Sequence, residues 1–315
     1  MSNRSLRPLA LLSATLRRIP GAPLALGACE GHARSAAYCY SVWLRHLSLL
    51  HAHAGLTRVP GCVAELGPGP SLGSMLAAML SGAGQGIALD ITAHADSIDR
   101  NHGILQEIAA LYRARSPIPD DIASVGEIRP ALPSYAFPLG ALQPTASSWD
   151  DPECEAVLHR ILEGKDPALR YAAPWQDRRV MTPGSVDLIF SQAVMEHVDD
   201  LAGTYAACRE WLRPDALMSH QIDFRCHGTA RHWNGHYTLS DRVWNYMAAA
   251  RPYLLNRQPP SVHRALMQEA GFRIVHEQPV HAPSVLGASD LAPKFRHLEA
   301  DDLTTSGMYV IAQRI

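Results

Sequence analysis

The chain is short of charge and of lysine. Only 18% of its 315 residues are charged, and 28 Lys+Arg stand against 30 Asp+Glu, a formal net charge of −2. That balance supplies no basic field for nucleic acid or for an anionic membrane surface. The two lysines are Lys165 and Lys294, so nearly all basic residues are arginine, a bias that fits genomic base composition better than function. The six cysteines (29, 39, 62, 154, 208 and 226) form no C-x-x-C pair and no regular spacing, which predicts reduced thiols in a cytoplasmic protein. No apolar h-region with a small-residue cleavage site follows the Arg/Ser-containing first 20 residues, so these are read as a poorly ordered lead-in or frayed helix rather than a secretion signal. The longest charge-free stretch, 24 residues between Glu65 and Asp90, has the length of a membrane helix. Its glycines and prolines (67, 68, 69, 70, 73, 82, 84 and 86) break it into strand, turn, helix and turn, which lipid could not satisfy.

What is present is enough apolar residue, 47%, for a sizeable core in one large domain with additions or in two smaller ones. Residues 33–54 lack Gly and Pro, and Cys39, Trp43, His46, Leu47 and Leu50 recur at helical spacing. This marks an N-terminal helical segment, 1–57, in which Tyr38, Tyr40 and Trp43 serve packing while His51 and His53 are solvated. Cys62 to Leu66 then reads as a short buried strand, Leu72 to Leu80 as a core helix and Gly86 to Asp90 as a second strand. That order is a βαβ unit and the start of a parallel sheet.

After a helix from Ala95 to about Arg115, prolines at 117, 119, 130, 133, 138, 144 and 152 predict an extended surface excursion within an insertion, 93–165, assigned to substrate binding or an interface. Strands resume at Leu169 to Ala172, Val186 to Ser191 and Leu217 to Phe224, with a helix at Leu201 to Leu212 between the last two. A cap, 225–261, carries His227, His232, Trp233, His236, Tyr237, Trp244 and Tyr253, and Asn234-Gly235 argues against a helix there. A helix at Val262 to Ala270, ended by Gly271, and strands at Phe272 to Glu277 and Gly307 to Gln313 close the domain, 58–315.

The turn Glu65-Leu66-Gly67-Pro68-Gly69-Pro70-Ser71-Leu72-Gly73 joins strand to helix. Its glycines permit a sharp turn and close backbone approach to a ligand at a helix N-terminus. Alone, this fits some NAD(P) fingerprints as well. Two acids narrow it: Glu65 is placed to meet a ligand ammonium, and Asp90, ending the next strand, suits ribose hydroxyls.

Glu65-Leu66-Gly67-Pro68-Gly69, Asp90 and Val186-Asp187-Leu188-Ile189-Phe190-Ser191-Gln192-Ala193-Val194-Met195-Glu196-His197-Val198 resemble the successive motifs of class I S-adenosylmethionine-dependent methyltransferases, the type 11 group in particular. Trp211-Leu212-Arg213-Pro214-Asp215-Ala216 is similar to that group's L-R-P-G-G turn, with Asp215-Ala216 in place of its glycines. The resemblance covers about Val59 to Ser81, Ile87 to Ile91 and Leu169 to Ile315. Residues 36–47 and 219–223 are more weakly similar to a bacterial branch associated with polysaccharide and secondary-metabolite biosynthesis.

The resemblance implies an α/β, Rossmann-like, seven-stranded and mostly parallel sheet whose last strand runs antiparallel. It implies S-adenosyl-L-methionine as cofactor, with Gly67 and Gly69 against the methionine moiety, Glu65 on the amino group and Asp90 on ribose. Leu89 and Ile91 would flank adenosine, Trp175 or Asp177 would meet adenine, and Ser191 and Gln192 would lie beside the methionine end.

The acceptor is expected to be a small metabolite or sugar methylated on oxygen, with His220 or Asp223 as leading candidates for a base and His197 as another. The histidine-dense run from His220 to His236 could line a metal, but its irregular spacing assigns no metal ligands. The rival readings are an NAD(P)-dependent oxidoreductase or epimerase, disfavoured because no Y-x-x-x-K pair exists, and a non-catalytic cofactor-binding scaffold. Neither oligomeric state nor acceptor identity is written in the motifs.

Overall fold

Ser35 starts the first helix, α1 (Ala36–Ala54), its side chain accepting from Tyr38 N as an N-cap does. The computed structural model describes residues 35–95, 97–122, 126–142, 149, 151–175, 177–249 and 253–315. The lead-in expected over the first 20 residues, and Pro144 of the Pro-rich excursion, lie outside them. Tyr40, Trp43, Leu44, Leu47 and Leu50 of α1 are fully buried. They share one hydrophobic cluster with α2 (Gly73–Leu80) and α3 (Ile98–Arg113), so the N-terminal helix belongs to the main core. Trp43 donates its indole N–H to Ser81 Oγ at 2.8 Å, which satisfies the one polar atom that this burial removes from water.

The remaining elements follow in chain order: β1 (Cys62–Leu66), β2 (Gln85–Leu89), a two-residue hairpin of β3 (Asp121–Ile122) and β4 (Gly126–Glu127), α4 (Leu139–Leu142), α5 (Pro152–Leu162), β5 (Leu169–Ala172), β6 (Val186–Gln192), α6 (Leu201–Trp211), β7 (Leu212–Asp223), α7 (Asp241–Ala248), α8 (Pro260–Glu269), β8 (Phe272–His281), α9 (Ala300–Thr304) and β9 (Thr305–Arg314). Seven strands form one sheet in the order β5-β2-β1-β6-β7-β9-β8. All neighbours are parallel except β9, which runs antiparallel to both β7 and β8. This is the Rossmann-like sheet that the motifs imply. Strand order reverses between β1 and β6, and in such sheets the crevice at the carboxyl ends beside that switch is where ligands sit.

One face of the sheet is covered by α1, α2 and α3, the other by α6 and α8 through Tyr205, Trp211 and Met267. Strands buried on both faces explain the continuous apolar runs of β1 and β6, where alternation would mark a half-exposed sheet.

Three expectations change on folding. The Pro-rich excursion is not a bare surface loop: Ile118, Leu132, Ala141, Leu142 and Trp149 are buried in the α1 cluster, because α1 presents apolar residues on more than one face. Strand β7 begins at Leu212, directly after α6, and Asp215 takes the left-handed φ of 63° where the resembled motif has glycine. Helix α8 starts at Pro260 rather than Val262, since proline at a first helical position loses no hydrogen bond. In the cap, Gly235–Thr238 makes a short 3-10 turn, in keeping with the doubtful helix at Asn234-Gly235. Among the described residues no helix is long and apolar enough to cross a membrane.

Candidate active site

The glycine turn leaves β1 at the switch point. Gly67 has φ 67° and Gly69 φ 70°, backbone that L side chains rarely adopt. A Cβ on Gly67 would also lie 2.5 Å from Val194 Cγ2, in the turn after β6, so the two loops touch there. Gly67 N donates to Leu89 O at 2.8 Å, which ties the turn to the end of β2.

Glu65 is carried on β1, only 4% exposed, and its Oε2 has no hydrogen-bond partner among the described residues. Burial first, and then the nearby charge of Asp90, push its pKa up to about 8, against the opposing pull of Ser74 and the Met75 N–H. Asp90 follows β2 and accepts from the backbone N–H groups of Ile91 (2.8 Å) and Gly69 (3.3 Å). Burial raises its pKa despite those bonds. A buried carboxyl oxygen that lacks a partner is costly. Glu65 Oε2 is such an atom, and with the hydrogen-bonded Asp90 it puts two buried carboxyl groups beside one glycine turn, a pair suited to a cation and to hydroxyl donors.

Around that pair the sequence-predicted flanks divide. Ile91 is 46% exposed, a large apolar side chain left at the strand ends. Leu89 is fully buried in the cluster with Ile189 and Met195, so its side chain belongs to the core and its carbonyl to the turn. Trp175 N donates to Asp90 O at 3.0 Å, and its ring packs edge-on against Trp211 at 5.4 Å. Asp177 instead caps the 3-10 turn Arg178–Val180 and is taken up by the Arg179 guanidinium, whose hydrogen bonds hold its carboxyl below the usual value. Of the two, Trp175 is the one tied to Asp90.

At the end of β6, Ser191 and Gln192 enter a buried polar chain. Ser191 Oγ lies 2.8 Å from His220 Nδ1. Gln192 Oε1 meets His46 Nε2 at 3.2 Å and its Nε2 donates to Arg129 O at 2.9 Å. His46 Nδ1 in turn meets Ser219 Oγ at 2.7 Å, and Ser219 Oγ meets Tyr309 OH at 2.7 Å. Burial depresses His46 to about 4 and His220 to about 3, so both are neutral near pH 7. The sequence pattern gave His46 only a packing role. Its bridging role depends on a residue 173 positions away, which no local pattern signals.

The three base candidates differ sharply. His220 is fully buried behind Ser191, shielded from any acceptor. Asp223, the last residue of β7, is committed: Arg225 donates through Nε and Nη2 at 2.9 and 2.7 Å, and His227 Nε2 donates at 3.2 Å. Burial alone would raise its pKa, but those donors hold it far below the usual carboxylate range. His197 is half-buried, with its Nδ1 unpartnered among the described residues. Burial and the neighbouring His227 depress it to about 4, and its ring lies 5.2 Å from that of His227. The cap's other histidine-rich positions disperse: His236 is buried against Tyr237 and Trp244, which pack in small cores of their own.

Along the same edge, Glu127, Arg129, Gln221, Asp223, Arg225 and Ser306 line a polar cavity of about 210 Å³. Glu127 and Arg129 come from the insertion, which reaches the strand ends through Arg129 O and Gln192. The insertion thus supplies two charged groups that the strand pattern could not place.

No family model matches the chain, and no curated protein matches it. Among solved structures, an S-adenosylmethionine-dependent methyltransferase from Mesorhizobium loti is 14% identical, with a TM-score of 0.41, over 85% of this chain and 98% of that one. A geranyl diphosphate C-methyltransferase from Streptomyces coelicolor is 11% identical, with a TM-score of 0.45, over 86% and 79%. Phosphoethanolamine N-methyltransferase 2 from Haemonchus contortus is 14% identical, with a TM-score of 0.42, over 88% of this chain and 56% of that one. At these identities and scores the likenesses carry no argument about activity, and the functional reading rests on the chain's own residues.

Proposed function

We propose that the protein is an S-adenosylmethionine-dependent methyltransferase that methylates an oxygen of a small polar metabolite or sugar. The observation that carries the reading is the Glu65 carboxyl buried beside the glycine turn, its Oε2 without a hydrogen-bond partner among the described residues, with Asp90 near it. A dinucleotide would place its pyrophosphate near that turn, where it opposes ionisation of the buried Glu65, whereas a cofactor bearing an ammonium favours that ionisation. This disfavours the oxidoreductase alternative.

When bound, the cofactor supplies an electrophilic methyl group. The chain's residues bind and position. Glu65 takes the ammonium, Asp90 the ribose, Gly67 and Gly69 admit the backbone approach, and Ile91 and Trp175 flank the base. The Ser191–His220 and Gln192–His46 bonds fix the floor of the cleft. The acceptor occupies the polar cavity two strands from the glycine turn, about 10 Å in sheet spacing, where Asp223, Arg225 and Gln221 face it. The near-neutral charge of the chain supports a small acceptor over a nucleic acid.

Calorimetry with S-adenosylmethionine tests the reading. One site is expected, with binding abolished by Asp90→Ala. Because Glu65 is largely protonated at pH 7, pairing with the ammonium should release a proton, seen as a dependence of the binding heat on buffer ionisation enthalpy. Methyl transfer from labelled cofactor to a panel of hydroxylated metabolites tests the acceptor class. Absence of cofactor binding, or binding of NAD(P) in its place, would overturn the proposal; cofactor binding without turnover on any acceptor would favour the scaffold alternative.

A further inference from the structure

We propose that Glu196, His197 and His227 form a binding site for a divalent transition-metal ion at the carboxyl ends of β6 and β7. The three side chains come from two loops, yet one donor atom of each lies within 4.8 Å of the others. Donors bonded to one ion at about 2.0–2.2 Å sit at most about 4.4 Å apart, so a small rotation of the exposed His227 closes the set. Independently, Glu196 is 2% exposed and neither of its carboxylate oxygens has a hydrogen-bond partner among the described residues. Placing a carboxylate there without a partner is expensive. Its neighbours are two imidazoles, one of them with an unpartnered Nδ1.

The surroundings hold the ligands in place. Asn256 clamps the turn that carries Glu196 and His197, donating from Nδ2 to Met195 O at 2.8 Å and Val198 O at 2.9 Å, while its N–H donates to Glu196 O at 2.7 Å. Asp223 accepts from His227 Nε2 at 3.2 Å, the kind of carboxylate contact that fixes the tautomer and orientation of a ligating imidazole. Two imidazoles and one carboxylate favour zinc, cobalt or iron(II) over magnesium or calcium, and they leave coordination positions open. The site adjoins the glycine turn, since Val194, two residues before Glu196, touches Gly67. The open positions would accept an oxygen of the acceptor or water. Metal binding itself does not depend on the methyltransferase reading.

The test uses full-length protein stripped with a chelator and titrated with Co²⁺ while the visible d–d absorption is followed. One saturable equivalent is expected, displaced by Zn²⁺ and not by Mg²⁺. Glu196→Gln and His227→Ala should each remove that transition, and Asp223→Asn should weaken it roughly 10- to 100-fold. His102→Ala, which disrupts a remote pair of stacked histidines, His102 and His159, should leave it unchanged. A titration with no saturable equivalent, one that persists in both Glu196→Gln and His227→Ala, or one lost in His102→Ala would overturn the proposal. If Glu196→Gln fails to fold, the surface substitution His227→Ala decides alone. Calorimetry with S-adenosylmethionine on the same variants keeps the two readings separate: loss of Co²⁺ with cofactor binding retained bears on the metal site only.

Discussion

The strand ends at β1 and β2 and those at β6 and β7 lie on one edge of one sheet, yet they treat their charged groups in opposite ways. At β1/β2, Glu65 and Asp90 are buried near each other, and burial pushes both carboxyls up. At the end of β7, Asp223 is equally buried but saturated by Arg225 and His227, and is pulled far down. A saturated carboxylate organises its neighbours, and an unsaturated one binds something. Among the described residues, Glu196 is the carboxylate that breaks the pattern on the β6/β7 side, which is why it marks a second site there.

The sharpest way to break this comparison is Glu65→Gln. If Glu65 awaits a cation, the variant should lose S-adenosylmethionine affinity by roughly 10- to 150-fold, the worth of a charged hydrogen bond of about 1.5–3 kcal/mol. The ligand-free protein should become no less heat-stable, because a group that ionises within the core as pH rises towards 8 is replaced by one that stays neutral. Equal affinity in calorimetry would show that the β1/β2 acids do not contact the ligand.

Next in size is Gly67→Ala, where a Cβ at φ 67° would press on Val194. A loss of about 1–3 kcal/mol is expected in denaturant unfolding, accompanied by weaker cofactor binding. An unchanged midpoint would mean that the two loops do not depend on each other.

The pH dependence of the ligand-free protein sharpens the contrast further. Glu65 is raised from 4.5 to about 8, so its contribution is fully present below pH 4.5 and is lost as pH rises towards 8. His46, His197, His220, His236 and His263 are depressed from 6.5 to between about 3 and 4 by burial, so their contribution is present above pH 6.5 and is lost as pH falls. Thermal unfolding should therefore fall off steeply on the acid side. On the alkaline side, the Glu65→Gln protein should show a shallower decline between pH 5 and 8 than the parent; identical slopes would remove Glu65 as the cause.

The smallest effect is expected from Asp177→Ala. That carboxylate is exposed and already paired with Arg179, so cofactor affinity should stay as it is, with a slight change in melting temperature from the lost cap. A marked loss of affinity would return Asp177 to the adenine site in place of Trp175.

Much of the proposed cofactor half was legible before folding. Glu65, Gly67, Gly69 and Asp90 span 26 residues of one βαβ unit, and local chain geometry alone brings them to one crevice. The sheet was legible for a similar reason, since strands buried on both faces leave continuous apolar runs at β1 and β6. The acceptor half was less so. His220 and Asp223 were visible as polar residues at a strand end, but whether either was available depended on Ser191, Arg225 and His227. The burial of Ile118 and Trp149 in the Pro-rich insertion was hidden because they lack a regular period and find their partners on α1.

The sequence by itself determined the α/β class, the succession of the main sheet's strands along the chain and the glycine turn with its two acids, because these follow from local periodicity, from backbone that only glycine readily adopts and from spacing within a single unit. Tertiary structure decided which polar groups are satisfied and which are left waiting. The His46–Ser219 contact crosses 173 residues, and Glu196 and His227 meet across the loops after two neighbouring strands. Partnership is set by distance in space, and in a parallel sheet the groups that share an edge come from segments far apart in the chain.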